Sequence, residues 1–185
     1  SARGARGHFP YESGHHGDLW LDLGALFQDA RRAHEWAARL AEAAASCRPD
    51  FVCGPLAGGA FLAQSMAAHL GAGFVFAERL AGPDKVSYRV PPSLRGALDG
   101  VRILLVDDAI NAGSALLSTL DDLGACGAEL AGIACLMTLG EAASEIAARR
   151  GVPFTALASV ERGMWTPAEC PLCRAGAPLV EPDAR

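Results

Sequence analysis

Two adjacent acids followed by a turn of small residues give the clearest indication of a functional site in this sequence. Asp107 and Asp108 come directly after the apolar run 103–106, and their carboxylates can accept hydrogen bonds from sugar hydroxyls. The backbone N–H groups of the following turn can converge on an anion at a helix N-terminus. The turn consists of Asn111, Ala112, Gly113, Ser114 and Ala115, and the Ser114 hydroxyl adds a donor. The spacing predicts a diol acceptor beside a phosphate cradle; the plainer alternative is an acid pair that merely caps a helix.

A strand edge and a helix N-terminus must hold these residues, and the sequence predicts both. From residue 29 onward helical and strand-like segments alternate, which favours an α/β fold with an open, mostly parallel five-stranded sheet flanked by helices. We predict helices at 29–47, 58–70, 114–123 and 141–150, and strands at 51–53, 74–77, 101–106, 130–137 and 153–159. Ligands of such sheets bind beyond the carboxyl ends of the strands, so the acids should face a crevice.

Three segments lie outside this alternation, and we treat residues 1–185 as one domain that includes them. Residues 8–28 predict a β-hairpin hood with its turn at Ser13-Gly14. Residues 79–100 have no periodicity and predict a flexible flap. Residues 161–185 form a C-terminal extension that contains a C-x-x-C pair.

Composition narrows the class of function. The net charge is −5 and the pI is near 5.5, which argues against a nucleic-acid partner. No run approaches the roughly 20 apolar residues of a membrane span, so we expect a cytoplasmic protein with no membrane partner. Neither a Walker A motif nor a G-x-G-x-x-G fingerprint is present in the sequence. Lys85 is the only lysine, so arginine supplies nearly all of the positive charge.

The run 101–116 resembles the phosphoribosyl-diphosphate motif of type I phosphoribosyltransferases, in which a hydrophobic strand, two acids and a T-x-G-[ST]-like turn follow one another. Asn111 stands where that family often has threonine. In element order the resemblance covers about residues 7–160 and is closest to orotate phosphoribosyltransferases. It implies a glycosyltransferase of pyrimidine biosynthesis that moves ribose 5-phosphate from 5-phosphoribosyl 1-diphosphate (PRPP) to orotate or a related nitrogen base, releasing diphosphate.

The resemblance also implies roles for individual residues. Asp107 and Asp108 would orient the ribose diol and hold Mg²⁺, directly or through water, and the 111–115 turn would anchor the 5-phosphate. Lys85 and Arg79 would act in catalysis from the flap, which is lysine-poor for this family, and the protein would form a homodimer with shared sites. The loop that binds diphosphate would be Pro55, Leu56, Ala57, Gly58 and Gly59.

The base would lie under the hood. The residues that the resemblance places there are Phe9, Ser13, Gly14, His15 and His16. The two histidines replace the basic and aromatic residues usual after the Ser-Gly turn, and they could recognise a carboxylate or a different nucleophile. Solvated turn histidines are the equally weighted alternative. Trp165 either stacks on the base or closes the core.

Cys170 and Cys173 have the spacing of half a zinc site or of a redox pair, and two unliganded thiols are the third interpretation. A complete zinc site would need Cys47 or Cys126, a histidine such as His15, or another subunit. A metal or thiol module is thus a minor alternative function. The main alternative to an enzyme is a non-catalytic PRPP-binding sensor of the same fold.

Overall fold

The computed structural model describes residues 3–11, 13–22, 24–82 and 86–181. The main sheet has six strands in the order β5-β4-β3-β6-β7-β8. These strands are β3 (Phe51–Pro55), β4 (Gly73–Ala81), β5 (Val86–Arg89), β6 (Arg102–Ile110), β7 (Glu129–Leu139) and β8 (Phe154–Val160). All neighbours in it are parallel except β4 and β5. The predicted open, mostly parallel sheet is therefore confirmed, with one strand more than the five expected.

Helices cover both faces of this sheet. They are α1 (Ala30–Ala44), α2 (Gly58–Leu70), α3 (Pro92–Arg95), α4 (Ser114–Ala125), α5 (Ala142–Arg150) and α6 (Pro171–Arg174). One apolar core joins α1 and α2 to the sheet, and a second joins α4 and α5 to the opposite face. The Asp29 side chain caps α1 by accepting from the Arg32 N–H, and Gly71 ends α2 in the left-handed conformation with φ 65°.

One aromatic residue of each of the helices α1 and α2 lies outside the core. Trp36 on α1 is 37% exposed and Phe61 on α2 is 57% exposed. The Arg39 guanidinium lies over the Trp36 ring, 4.7 Å from its centroid. Alanines together with Leu40 fill the inner face of α1, and alanines together with Leu62 and Met66 fill that of α2.

The hood is a separate small sheet. Strands β1 (Arg3–Pro10) and β2 (His16–Asp22) form the predicted antiparallel hairpin, and Gly14 turns the chain with φ 78°. A third strand, β9 (Met164–Trp165), pairs with β2 and was not predicted. The third strand of the hood therefore belongs to the segment that follows β8, the last strand of the main sheet, in the sequence.

The segment 79–100, predicted as a flap, contains regular structure. It includes the end of β4, the edge strand β5 and the short helix α3. Lys85, one of the predicted catalytic residues, lies outside the described residues. No helix in the described part of the chain combines the length and apolarity needed to cross a bilayer.

Candidate active site

The strand order creates a crevice between β3 and β6. From β3 the chain crosses to β4 on one side, and from β6 it crosses to β7 on the other, so the winding direction reverses between these two strands. The β3–β6 ladder last pairs Cys53 with Leu105, whereas β6 stays paired with β7 as far as Ile110. Asp107 and Asp108 therefore lie on β6 beyond the end of its ladder with β3. We predicted that the strand would end before the acids, but it continues through them.

The two acids contact the turn that follows β3. A Cβ atom added to Gly58 would lie 2.2 Å from Asp108 Oδ2, and one added to Gly59 would lie 2.8 Å from Asp107 Oδ1. Any side chain at these positions would displace a carboxylate, which is why glycine is required here. The structure thus brings together two of the predicted groups, the acid pair and the 55–59 loop.

The carboxylates are half-buried and hydrogen-bonded to the backbone. Asp107 Oδ1 accepts from the Asp108 N–H at 2.9 Å, and Asp108 Oδ1 accepts from the Ala109 N–H at 2.8 Å. Burial raises the pKa of Asp107 well above its ordinary value, and the nearby Asp108 charge raises it further. Burial likewise raises the pKa of Asp108, although the Ala109 N–H opposes the shift. Such a pair is stabilised by a cation or by hydroxyl donors.

The small-residue turn after β6 leads into α4 without a side-chain cap. Gly113 occupies the N-cap position with φ 79°, and a Cβ atom there would also lie 2.6 Å from Ile146 Cδ1. The first N–H groups of a helix have no intrahelical acceptors, and the first turn of α4 contains no acid. Asn111 Oδ1 is buried and has no hydrogen-bond partner in the part of the chain that the structure describes. The 111–115 turn is therefore suited to an anionic ligand.

The 55–59 loop, like the 111–115 turn, precedes the N-terminus of a helix. Pro55 is buried at the end of β3, whereas Leu56 and Ala57 are exposed and joined by a cis peptide bond. The Leu56 N–H already donates to Ala77 O at 2.8 Å, so this N–H is not a donor for a ligand. No side chain caps α2, which begins at Gly58. Any backbone donors that this loop offers to a ligand must therefore come from its α2 end.

The flap arginines differ in their surroundings. Arg79 on β4 and Arg89 on β5 are exposed. Arg95 forms an ion pair with Asp122 at 2.8 Å, so we assign it to the fold and not to phosphate binding.

The structure corrects two of the predicted base-binding residues. Phe9 is only 4% exposed and packs near Trp20 inside the hood, so its ring is closed to a base in this conformation. His16 Nδ1 lies 3.2 Å from Cys173 Sγ, so His16 belongs to a different cluster. Ser13 and Gly14 are exposed, and His15 Nδ1 lies 3.3 Å from Ser13 O.

The remaining candidates of the hood also have defined surroundings. Trp165 is half-buried, and a Cβ atom on Gly163 would overlap its ring, so the ring covers that glycine. Cys170 and Cys173 lie beside His8 and His16. All six cysteines are free thiols.

Sequence reasoning missed Arg162, which is the second residue after the end of β8. Its guanidinium lies over the Tyr11 ring, 5.0 Å from the centroid, and Nη2 lies 3.1 Å from Met164 Sδ. Nε and Nη1 are buried without hydrogen-bond partners among the described residues. Burial lowers the pKa of Arg162, yet arginine stays charged. A buried cation with two unused donors indicates an anionic or polar ligand, and its position after a parallel strand was the only sequence signal.

Fold and site together define the class: an α/β protein with a carboxylate pair and uncapped helix N-termini at the switch point of its sheet, suited to a phosphorylated sugar. The model of the phosphoribosyl transferase domain family matches residues 22–163. The chain therefore belongs to the phosphoribosyltransferase family, as the resemblance of the 101–116 run predicted.

Individual relatives agree with this assignment. The chain is 31% identical over 183 residues to the orotate phosphoribosyltransferase of Caldanaerobacter subterraneus subsp. tengcongensis, covering 97% of this chain and 90% of the relative. It is 29% identical over 185 residues to that of Heliobacterium modesticaldum, with the same coverage. The crystal structure of Aeropyrum pernix orotate phosphoribosyltransferase superposes with a TM-score of 0.65 at 23% identity, covering 85% of this chain and 88% of that one. This last likeness supports the fold.

Proposed function

We propose that this chain transfers ribose 5-phosphate from PRPP to orotate or a closely related base and releases diphosphate. One observation carries the proposal: Asp107 and Asp108 lie against Gly58 and Gly59 at the point where the sheet reverses direction. In this proposal the acid pair accepts hydrogen bonds from the ribose diol, and each of the two adjacent helix N-termini binds one phosphate-bearing end of PRPP. The relatives named orotate phosphoribosyltransferase support the choice of reaction.

The proposed roles follow from charge. Cleavage of the C1–O bond passes through a ribosyl group with cationic character, so negative charge near the ribose and positive dipoles near diphosphate both favour it. Asp107 and Asp108 orient the ribose hydroxyls and oppose the developing positive charge. The N-terminus of α2 stabilises departing diphosphate, and the N-terminus of α4 anchors the 5-phosphate far from the reacting carbon. Arg79 on the β4 arm and Lys85, which lies outside the described residues, are proposed to neutralise diphosphate.

The donor set fits Mg²⁺. Hard divalent cations prefer carboxylate oxygens, and a cation beside Asp107 and Asp108 would favour their charged forms, which burial disfavours. When bound there, directly or through water, Mg²⁺ would neutralise diphosphate and ribose oxygens. The acid pair itself holds the sugar in place.

Arg162 supports an acidic base as the acceptor. Its buried Nε and Nη1 donors have no partner among the described residues, and a planar carboxylate is the ligand that a guanidinium binds through two parallel hydrogen bonds. Orotate carries such a group next to its ring, whereas uracil is the same ring without it. Arg162 would therefore select orotate over uracil.

A base screen tests the reaction. The protein is incubated with PRPP, Mg²⁺ and one base at a time (orotate, uracil, adenine or hypoxanthine), and diphosphate release is measured. We expect Mg²⁺-dependent release with orotate. PRPP binding without turnover on any base would contradict the enzyme proposal and favour the sensor, in which Lys85→Ala would leave ligand response intact.

A substitution tests the role of Arg162. Hydrogen bonds to charged groups are worth about 1.5–3 kcal/mol each, so losing the two proposed bonds in Arg162→Ala should lower kcat/KM for orotate by roughly 10²- to 10⁴-fold. The kcat/KM for uracil should change little, so the ratio of kcat/KM for orotate to that for uracil should fall by the same factor. Arg39→Ala is the matched control, because Arg39 contacts the exposed Trp36 on α1. An unchanged preference in Arg162→Ala would refute the role.

We also propose a cytoplasmic homodimer acting in pyrimidine biosynthesis. Orotate as acceptor would place the reaction there, and the family resemblance supports the dimer. Light scattering of the purified protein with and without PRPP measures the assembly directly, and a monomer in both conditions would contradict it.

A further inference from the structure

Four metal-ligating side chains, two from the hairpin and two from a distant C-terminal segment, meet at the hood. They are His8 on β1, His16 on β2, and Cys170 and Cys173 at α6, and their ligand atoms all lie within 4.8 Å of one another. We propose that this cluster binds one zinc ion that fastens the C-terminal segment to the hood. The inference does not depend on the proposed reaction.

The distances fit a tetrahedral ion. With Zn–S near 2.3 Å and Zn–N near 2.05 Å, a tetrahedron has N–N, N–S and S–S edges of about 3.3, 3.6 and 3.8 Å. Here His8 Nε2 lies 3.0 Å from His16 Nδ1 and 3.4 Å from Cys170 Sγ. Cys173 Sγ lies 3.7 Å from His8 Nε2 and 3.2 Å from His16 Nδ1. Each of these four contacts is within about 0.4 Å of the corresponding edge, and the two remaining separations, from Cys170 to Cys173 and to His16, do not exceed 4.8 Å, so side-chain adjustment would complete the site.

The protonation of His8 is fixed by its other nitrogen. His8 Nδ1 lies 2.8 Å from Ala177 O, and a carbonyl oxygen only accepts, so Nδ1 carries the proton. In the neutral ring Nε2 then presents one lone pair toward the cluster. A backbone carbonyl that receives the second N–H is the usual support of a metal-bound histidine, because it fixes the tautomer and the ring orientation.

The ligand atoms of the cluster converge on a point that is shielded from water. His16 Nδ1, Cys170 Sγ and Cys173 Sγ all surround the one lone pair of His8 Nε2, and only one of them can donate to it. His8 is 3% exposed and Cys170 is 0% exposed, so water is largely excluded from their side of the cluster. A single cation would satisfy all four ligand atoms together.

The ligand chemistry selects zinc and a structural role. Two thiolates and two imidazoles in a tetrahedron are a typical zinc set, and four protein ligands leave no open position for catalysis. A histidine was among the predicted partners of the C-x-x-C pair, and the structure supplies two, His8 and His16, in place of His15. Cys47 lies in the α1–α2 core and Cys126 follows α4, so neither joins the cluster. Zinc binding would link β1, β2 and α6. Small structural units often need a cross-link such as a disulfide or a metal ion for stability, and the zinc ion would supply that cross-link to the hood.

Metal analysis of untagged protein tests the proposal. Native mass spectrometry of the wild-type chain should show the mass of one zinc minus two protons, and elemental analysis should give about one zinc per chain. Wild-type protein without zinc that also fails to take up Zn²⁺ or Co²⁺ would overturn the proposal. A Cys170–Cys173 disulfide in freshly purified protein would also overturn it, in favour of a redox pair.

Paired substitutions localise the ion. Zinc content should fall to near zero in His16→Ala and Cys173→Ser but stay near one per chain in the matched controls His15→Ala and Cys126→Ser. Zinc retained in both ligand variants would refute the assignment. If a ligand variant does not fold, metal-stripped wild-type protein is titrated with Co²⁺ instead. Thiolate-to-cobalt charge-transfer absorption that saturates at one equivalent of Co²⁺ would support the site, and the absence of this absorption would refute it. None of these measurements requires PRPP, so this proposal and the proposed function fail separately.

Discussion

Replacing Gly58 with alanine tests the contact between the acid pair and the 55–59 loop. The new Cβ atom would lie 2.2 Å from Asp108 Oδ2, and real Cβ contacts essentially never fall below 3.0 Å, so the carboxylate must move by about 0.8 Å or more. A misplacement of about 1 Å in a catalytic site costs on the order of 100-fold in rate. We therefore expect kcat/KM for PRPP to fall about 100-fold, equivalent to about 2.7 kcal/mol.

Stability should not fall in parallel. The displaced atoms are the end of one side chain, and alanine is favoured over glycine in helices by about 1 kcal/mol. Steady-state diphosphate release gives kcat/KM, and thermal unfolding gives Tm. Gly124→Ala in α4 is the matched control, because its Cβ atom would meet nothing within 4 Å; it should leave kcat/KM unchanged. Wild-type kcat/KM in Gly58→Ala would refute the placement of Asp108 in the site.

Two further substitutions test the electrostatics of the fold. Burial and the adjacent acid raise the pKa of Asp107, so the folded state binds the Asp107 proton more tightly than the unfolded state does. The free energy of unfolding therefore falls as the pH rises through this raised pKa. In magnesium-free buffer Asp107→Asn should therefore raise Tm at neutral pH. The increase in Tm should become smaller as the pH is lowered toward the ordinary carboxyl pKa, and an increase that does not depend on pH would contradict this reasoning. Asp122 accepts from Arg95 and from the Val90 N–H, both at 2.8 Å. Asp122→Ala should cost about 2–3 kcal/mol and lower Tm by about 5–10 °C, whereas a change below about 2 °C would show that the ion pair is dispensable.

The local signals in the sequence predicted the main sheet well. Apolar runs, the Asp29 cap and the Gly71 stop each act within a few residues, so strands β3, β6, β7 and β8 and the long helices could be located. The acid pair and both turns also lie at strand ends, where the topology rule applies. Their close contact through Gly58 and Gly59 is a consequence of that rule.

Long-range pairing accounts for most of what was missed. Strand β9 has two residues and joins the hood only through Gly17 and His16, so no periodicity could reveal it. The edge strand β5 lies in a segment with prolines and charges on both sides. Arg162 and the zinc cluster depend on residues that are far apart in the chain. His8, for example, contacts Cys170 across 162 positions.

That separation has a consequence for how the protein is made. The Val180 N–H donates to His8 O at 2.8 Å, and Cys170 reaches the same histidine, so the first strand acquires these partners only when residues 170–180 have been synthesised. At 5–20 residues per second a ribosome needs about 8–30 s to add the intervening 162 residues. During that interval the β1–β2 hairpin has emerged without its C-terminal partners, while the central strands can already pair. Completion of the hood is therefore a late event of biosynthesis, and nascent chains arrested before residue 170 would carry an unfinished lid over a largely formed sheet.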